Sequence, residues 1–396
     1  MATFSVRFLG CKVSHLDANE VRERLLADGH EERAGDADVA VVNTCCVTNE
    51  ALAKSRQAAA RVARTHRRVY VTGCGANLSR EAFAGAGSNV IVVAERSERV
   101  ADAVAGDVGA IGCVQSAPRL ERVRAFVKIQ DGCSFGCSFC VIPLVRGATR
   151  SRDAAAVLRE IRKRVAQGHR EIVLTGVNLG CFRDRAGGYT LARLVRDAGA
   201  VEGLDRLRLS SIEINHVDDE LVAALRETPN VARHLHVPLQ SGDDRVLRAM
   251  GRRYDVATYL RRLEPLGDFN VTTDVIVGFP TEDDRAFERT LRTLREARAT
   301  KVHTFPYSPR PGTKTATHDA VSAQVKKERG ARLREASRRW CVEHWQTKIG
   351  KIELVLVDRP GRGYGDDYSP WFVDARVASF VRVRGRAVTE EGILAA

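Results

Sequence analysis

Apolar residues recur along the chain in two alternating rhythms. FSVRFLG (residues 4–10) alternates with the period of a strand, and DANEVRERLLADGH (17–30) carries its apolar positions at helical spacing, with Asp17 placed to cap the helix. ADVAVVNT (37–44) reads as a buried strand and EALAKSRQAAARVARTH (50–66) as a helix. RRVYVTG (67–73) and NVIVVA (89–94) add two further strands. A run of strand, helix, strand, helix predicts a parallel sheet flanked by helices.

The pattern fades over residues 101–123, which are rich in Ala and Gly and lack strong periodicity, as expected of a linker. Beyond it, strands fit AFVKIQ, EIVLTG, LRLSSIEI, HLHVPL, FNVTTDVIVG and KVHTFPYS, with helical patterns between them. That number is short of the eight strands of a complete TIM barrel, so the expectation is an open, partial (βα)6 barrel. A long basic helix over 322–349 follows, and then short strands between Gly-rich turns, which predict a small C-terminal β-barrel. The fold class is therefore α/β, with an N-terminal sheet domain (1–112), a linker (113–122), a barrel domain (123–348) and a small β domain (349–396).

Charge narrows the partners. The 396 residues carry a formal net charge of +13, which favours a polyanion such as nucleic acid. The strand VRVRGR suits a phosphate backbone or, alternatively, a charge-guarded sheet edge. The N-terminal residues lack signal-peptide architecture, and no apolar run approaches the roughly 20 residues of a membrane helix, so a cytoplasmic protein is expected. Thiols stay reduced in that compartment, so the 10 cysteines point to metal or catalysis rather than to disulfides.

Three of them share one position in the pattern. Cys11, Cys45 and Cys74 each follow a strand, and the carboxyl ends of parallel strands meet at one edge, where ligands bind. Cys46 stands beside Cys45, and adjacent residues of a strand point to opposite faces, so one of the pair is expected to be the ligand. A second trio, Cys133, Cys137 and Cys140, follows the first barrel strand as C-x3-C-x2-C. Structural zinc takes four protein ligands, and no second Cys pair follows nearby. Three thiolates on a 4Fe–4S cluster leave one iron open for a substrate or cofactor.

GCSFGCSFC, with Phe139 before the last cysteine, resembles the motif of the radical S-adenosylmethionine (SAM) enzymes. LGCKVS, VNTCCVT, VTGC, LTGVNLG, LRLSSIE, HVPLQSGDDRVLRAMGRRY, TDVIVGFPTE and FPYSPRPGT extend the likeness to the methylthiotransferase family, and GRGYGDDY is similar to its C-terminal TRAM β-barrel. The resemblance implies that Cys133, Cys137 and Cys140 ligate a 4Fe–4S cluster whose open iron binds SAM, from which a 5′-deoxyadenosyl radical is released. It implies that Cys11, Cys45 and Cys74 hold an auxiliary 4Fe–4S cluster, Cys45 being preferred to Cys46 by the N-T-C register. It also places Phe139, Thr175, Gly176 and Asn178 at SAM, with Ser211, Glu213 and Gln240 as further candidates for its ribose or carboxylate.

The net reaction so implied turns a C–H bond into C–SCH3. The motifs look most like the branch acting on N6-threonylcarbamoyladenosine at position 37 of tRNA. The implied partners are a tRNA anticodon stem-loop and an electron donor such as a flavodoxin or ferredoxin. Lys54, Arg56, Arg61, Arg64, Arg67 and Arg68, arranged around one helix, and Arg146, Arg150 and Arg152 near the C-x3-C-x2-C loop are the expected phosphate contacts. Three other readings are a ribosomal-protein aspartate methylthiotransferase, an isopentenyladenosine-tRNA methylthiotransferase, and a zinc-dependent RNA-binding module without catalysis.

Overall fold

The computed structural model describes residues 2–35, 37–95, 97–109, 123–375 and 379–396, so the expected linker at 113–122 lies outside the described residues. Two compact units divide the chain. The first joins 1–119 to two later segments, 131–149 and 308–317; the second holds 120–130, 150–307 and 318–396.

In the first unit, five parallel strands, β1 (Thr3–Phe8), β2 (Glu31–Glu32), β3 (Val39–Thr44), β4 (Arg68–Gly73) and β5 (Val90–Val92), pair in the order β2-β1-β3-β4-β5. Every residue of β3 is buried, because both faces of the sheet are covered. Val39, Val41 and Tyr70 pack with Val21, Leu25, Val100 and Val104 on one side. Ala40, Val42, Val69 and Val71 pack with Ala59, Val62 and Phe83 on the other. The strand order reverses between β1 and β3, and such a switch point opens a crevice at the strands' carboxyl ends.

Helix starts differ from expectation at one position. The first helix runs Lys12–Ala27, with Cys11 rather than Asp17 at its N-cap. Asp17 is buried in the second turn, on the stripe of Val13, Val21 and Leu25. The following helix, Asn49–Ala63, is capped by Thr48, whose hydroxyl accepts from the Ala51 amide.

The second unit contains the six expected barrel strands: β6 (Arg124–Lys128), β7 (Glu171–Thr175), β8 (Arg206–Leu209), β9 (His234–His236), β10 (Asn270–Val277) and β11 (Ala299–Pro306). They form two parallel three-stranded sheets, β8-β7-β6 and β9-β10-β11, joined by single bridges at Leu207–Val231 and Ser211–His236. β6 and β11 are the two edges, so the barrel is partial. Alternate strand residues such as Val127, Leu174, Leu207, Leu235, Val275 and Val302 pack with the flanking helices. The intervening positions face away from the helices and are largely polar, including Arg124, Glu171, Arg206, Arg208, His236 and Asp274. A complete TIM barrel fills this space with branched apolar side chains.

The C-terminal strands β12 (Ile352–Arg359), β13 (Arg362–Tyr364), β14 (Pro370–Phe372), β15 (Phe380–Val388) and β16 (Ile393–Ala395) close into the expected small barrel. Val355, Val357, Trp371 and Ile393 form its core with Trp345 of the preceding helix, Ala323–Gln346. GRGYGDDY turns inward to the partial barrel. Arg206 donates to the Leu354 carbonyl at 2.5 Å, and Arg208 to the Asp366 and Gly365 carbonyls at 3.1 and 3.2 Å.

Glu171, fully buried, holds those arginines in place. Arg206 and Arg208 reach its carboxylate at 3.4 and 3.3 Å, and Arg124 donates to it as well. Burial pushes the Glu171 carboxyl up, but the guanidiniums of Arg208, Arg124 and Arg206 outweigh that and hold it at about 2. A depressed carboxyl adds stability that is present above its unfolded value and lost as pH falls through its folded one. Glu171→Gln is expected to cost about 3–5 kcal/mol at pH 7, the usual loss when a buried pair is broken. Urea unfolding at pH 7 and at pH 3 should show the gap between wild type and variant narrowing at the lower pH.

Candidate active site

Within the first unit, the chain turns sharply after β1, β3 and β4, and each turn presents a thiol. Cys11 is exposed, with its Sγ 3.8 Å from the Ser14 hydroxyl; Cys45 and Cys74 are buried. Glycines allow the three turns to close on one another. At Gly10 (φ +127°) an added Cβ would lie 2.8 Å from Ser14 Oγ and 3.3 Å from Cys45 Cβ. At Gly73 (φ +89°) it would strike the Thr44 backbone at 2.8 Å. Thr44 completes the junction: its hydroxyl donates to the Thr72 carbonyl at 2.6 Å and accepts from the Ala76 amide at 3.1 Å.

Cys45 and Cys46 have different surroundings. Burial pushes the Cys45 thiol up, opposed by the backbone amides of Val47 and Cys46. Ser55 Oγ accepts from the Cys45 amide at 3.0 Å and donates to its carbonyl at 3.2 Å. Cys46 packs with Val141, Val145 and Leu52, and burial pushes its thiol well above the usual range. Cys74 is held at about 11, burial outweighing the opposing Arg146 guanidinium. Thiols kept neutral in this way lose their protons when a metal binds.

The C-x3-C-x2-C loop belongs to the same unit. Gly132 (φ +68°) starts it; a Cβ there would meet the Ala148 carbonyl oxygen at 2.1 Å. The Cys133 amide donates to the Gly147 carbonyl at 3.0 Å, so the loop leaves and returns at one point. Ser134 and Thr149 exchange amide–hydroxyl bonds of 3.0 and 3.1 Å across its neck. Cys133, Cys137, Phe139 and Cys140 remain half-buried on its tip. Segment 308–317 supports both cysteine regions. Thr315 donates to the Ser138 carbonyl from its amide and its hydroxyl, each at 3.1 Å, and Arg310 donates to the Cys46 carbonyl at 3.1 Å.

Arg146 is not a surface contact for a phosphate. It is buried, with Nη1 3.0 and 3.1 Å from the two Asp131 oxygens, Nη2 2.5 Å from Asp17 Oδ2 and Nε 3.2 Å from Cys74 Sγ. A guanidinium removed from water needs such partners. Asp17 and Asp131 therefore belong to the site, although no sequence motif singled them out. Asp17's place on an otherwise apolar helical stripe is the one signal that could have found it. Arg152 is half-buried and paired with Glu160 at 2.7 Å. Lys54, Arg56, Arg61, Arg64, Arg67 and Arg68 are all exposed, but the helix ends at Ala63, so the last three lie beyond it.

In the second unit, the residues matched to SAM cluster at the carboxyl ends of β7 to β9. Thr175 is buried and donates to the Val173 carbonyl at 3.1 Å. Gly176 lies against Gln130, where a Cβ would come within 2.9 Å of Oε1, and that oxygen accepts from the Asn178 amide at 2.8 Å. Ser211 bridges to His236. Glu213 is occupied: it accepts from the Asn215 amide and side chain at 3.0 Å and pairs with Arg252 at 3.3 Å. Two buried acceptors, Asn178 Oδ1 and Gln240 Oε1, have no hydrogen-bond partner among the described residues, and Gln240 adopts φ +69°. Unsatisfied buried oxygens and a strained backbone suit a ligand bearing amino or hydroxyl donors.

No three His, Cys, Asp or Glu side chains among the described residues are grouped to hold a single metal ion. The donor sets instead comprise two thiol trios on glycine-shaped turns, and thiolates are the usual ligands of 4Fe–4S clusters.

A partial (βα)6 barrel with a C-x3-C-x2-C loop after its first strand defines a radical SAM protein. The Radical SAM superfamily matches residues 127–294, and the family described as Uncharacterized protein family UPF0004 matches residues 3–94. The chain is 33% identical to the threonylcarbamoyladenosine tRNA methylthiotransferase MtaB of Thermotoga maritima, over 100% of this chain and 96% of that protein. It is 36% identical to the Bacillus subtilis protein of the same name, over 84% and 80%. It is also 36% identical to the tRNA-2-methylthio-N(6)-dimethylallyladenosine synthase of Thermobifida fusca, over 92% and 79%. In fold it is similar to the radical SAM methyltransferase TsrM of Kitasatospora setae, with TM-score 0.59, 14% identity and coverage of 79% and 74%. The chain belongs to the radical SAM methylthiotransferase family. It is an enzyme whose cofactors are SAM and 4Fe–4S clusters.

Gly73→Ala puts a Cβ into the Thr44 backbone at a φ that L residues rarely adopt. It is expected to cost roughly 2 kcal/mol or more, a typical strain penalty, and to lower the iron bound per chain. Thermal unfolding and iron analysis of anaerobically reconstituted protein check both.

Proposed function

We propose that this enzyme converts N6-threonylcarbamoyladenosine at position 37 of tRNA to its 2-methylthio derivative. The observation that carries this reading is the match to the Thermotoga maritima relative across the full length of this chain and 96% of that protein. The dimethylallyladenosine reading is the second, because the Thermobifida fusca synthase reaches the same 36% identity as the Bacillus subtilis protein. The match spans 79% of that synthase, against 96% of the Thermotoga maritima protein.

Cys133, Cys137 and Cys140 are assigned to the cluster that binds SAM, and Cys11, Cys45 and Cys74 to the auxiliary cluster. Cys45 is favoured over Cys46 by the N-T-C register, and the backbone amides of Val47 and Cys46 oppose the burial of its thiol. When bound, these groups supply radical chemistry able to open an unactivated C–H bond, which side-chain acids and bases cannot do. The chain's own residues hold and orient. The glycine turns set the thiols, and Thr175, Gly176, Asn178 and Gln240 offer SAM a polar wall with two unsatisfied acceptors. Phe139, Ser211 and Glu213 complete the proposed cofactor set, with Glu213 acting through its hold on the Asn215 turn.

tRNA is the proposed partner, consistent with exposed basic residues on the helix Asn49–Ala63 and with Arg382, Arg384 and Arg386 on β15. β15 pairs on both sides, with β12 and β16, so its charges do not guard an open sheet edge. No helix among the described residues is long and apolar enough to cross a membrane. A cytoplasmic setting and a flavodoxin- or ferredoxin-type electron donor complete the proposal.

Mass spectrometry of tRNA nucleosides from a strain lacking the gene decides the substrate. Loss of 2-methylthio-N6-threonylcarbamoyladenosine is expected. Loss of the isopentenyl derivative instead would favour the second reading, and an unchanged profile would defeat both. In reconstituted protein, Cys133→Ala should abolish 5′-deoxyadenosine formation from SAM, whereas Cys45→Ala should preserve it and lose thiolation.

A further inference from the structure

Arg146 stands where three pieces of the first unit meet. It ends the short helix Ile142–Arg146, which begins just after Cys140. Asp131, which both its Nη1 contacts reach, immediately precedes the Gly132–Cys133 turn. Asp17 lies on the helix that Cys11 caps. The Nε–H of Arg146 is directed at the Cys74 sulfur at 3.2 Å. The side chains of Arg146, Asp17 and Asp131 are all about 6–7% exposed.

A guanidinium does not lose its charge in a protein, so this N–H donor is permanent. A hydrogen bond to a cluster sulfur withdraws electron density from it, favours the reduced cluster and raises its potential. The two carboxylates fix the plane of the guanidinium, as a bidentate pair does, and so fix the direction of the Nε–H bond. Lysine would keep the charge and lose the fork.

We propose that Arg146 is a positioning residue that tunes the auxiliary cluster: braced by Asp131 and Asp17, it donates to the Cys74 thiolate and raises the cluster's reduction potential. This rests on the assignment of Cys74 as an auxiliary-cluster ligand. The same side chain ties that ligand to the root of the C-x3-C-x2-C loop, so the two cysteine trios share one brace.

The test uses the full chain with Cys133, Cys137 and Cys140 all changed to Ala, which leaves the auxiliary cluster alone to be titrated. If this protein, with Arg146 intact, takes up no 4Fe–4S cluster, the ligand assignment itself fails. If it does, Arg146→Lys and Arg146→Met are each reconstituted and their midpoint potentials measured by spectroscopic titration. Both should shift negative, Met further than Lys, while Asp17→Asn, whose amide oxygen still accepts from Nη2 and keeps the Nε–H donor in place, should not shift negative. Unchanged potentials in both Arg146 variants overturn the proposal. Should neither variant load a cluster, far-UV circular dichroism of the apo forms decides. A native fold without loading supports the positioning role, and an unfolded chain makes Arg146 a structural staple and overturns it.

Discussion

A charge taken out of water must be matched at close range, and each unit of this protein is organised around such a match. In the first, Arg146 is enclosed by Asp17, Asp131 and the Cys74 sulfur. In the second, Glu171 is enclosed by Arg124, Arg206 and Arg208, and the last two also donate to carbonyls of the C-terminal barrel. Losing one member of either group strands the others, at a cost near the top of what single substitutions produce. Each group also sits at a junction. One joins the cysteine turns; the other joins the partial barrel to the small β-barrel.

The open barrel makes the second group necessary. With six strands instead of eight, the concave face cannot be packed with branched side chains, and polar residues occupy it. Its lower layer is sealed by arginines against backbone carbonyls of GRGYGDDY. That segment, similar to part of a TRAM β-barrel, is spent here on packing. The basic strand β15 exposes alternate residues, Arg382, Arg384 and Arg386.

The cysteine turns show how backbone freedom serves chemistry. Gly10 and Gly73 adopt positive φ, and each lacks the Cβ that would hold neighbouring turns apart. Helix Lys12–Ala27 starts directly at Cys11 with no side-chain cap, leaving the Cys11 thiol free of that duty. Asp17, expected to cap that helix, instead turns inward to Arg146. Sequence pattern misplaced it because a capping motif and a buried ion pair use the same residue, and only the partner distinguishes them.

Strand and helix periods, set by side-chain alternation, disclosed the parallel sheet, the six barrel strands and the closing β-barrel. The places of Cys11, Cys45 and Cys74 after strands and the C-x3-C-x2-C spacing marked both trios as candidates. These are local properties, readable wherever a residue's neighbours in the chain dictate its conformation. Arg146 was misread as a surface contact because its two carboxylates come from positions 17 and 131, and the resulting contacts exist only after folding. The N-T-C register ranked Cys45 above Cys46, but their surroundings came only with the fold. Ser55 Oγ holds the Cys45 amide and carbonyl, while Cys46 lies against Val141 and Val145 from far along the chain, and that difference belongs to the tertiary packing.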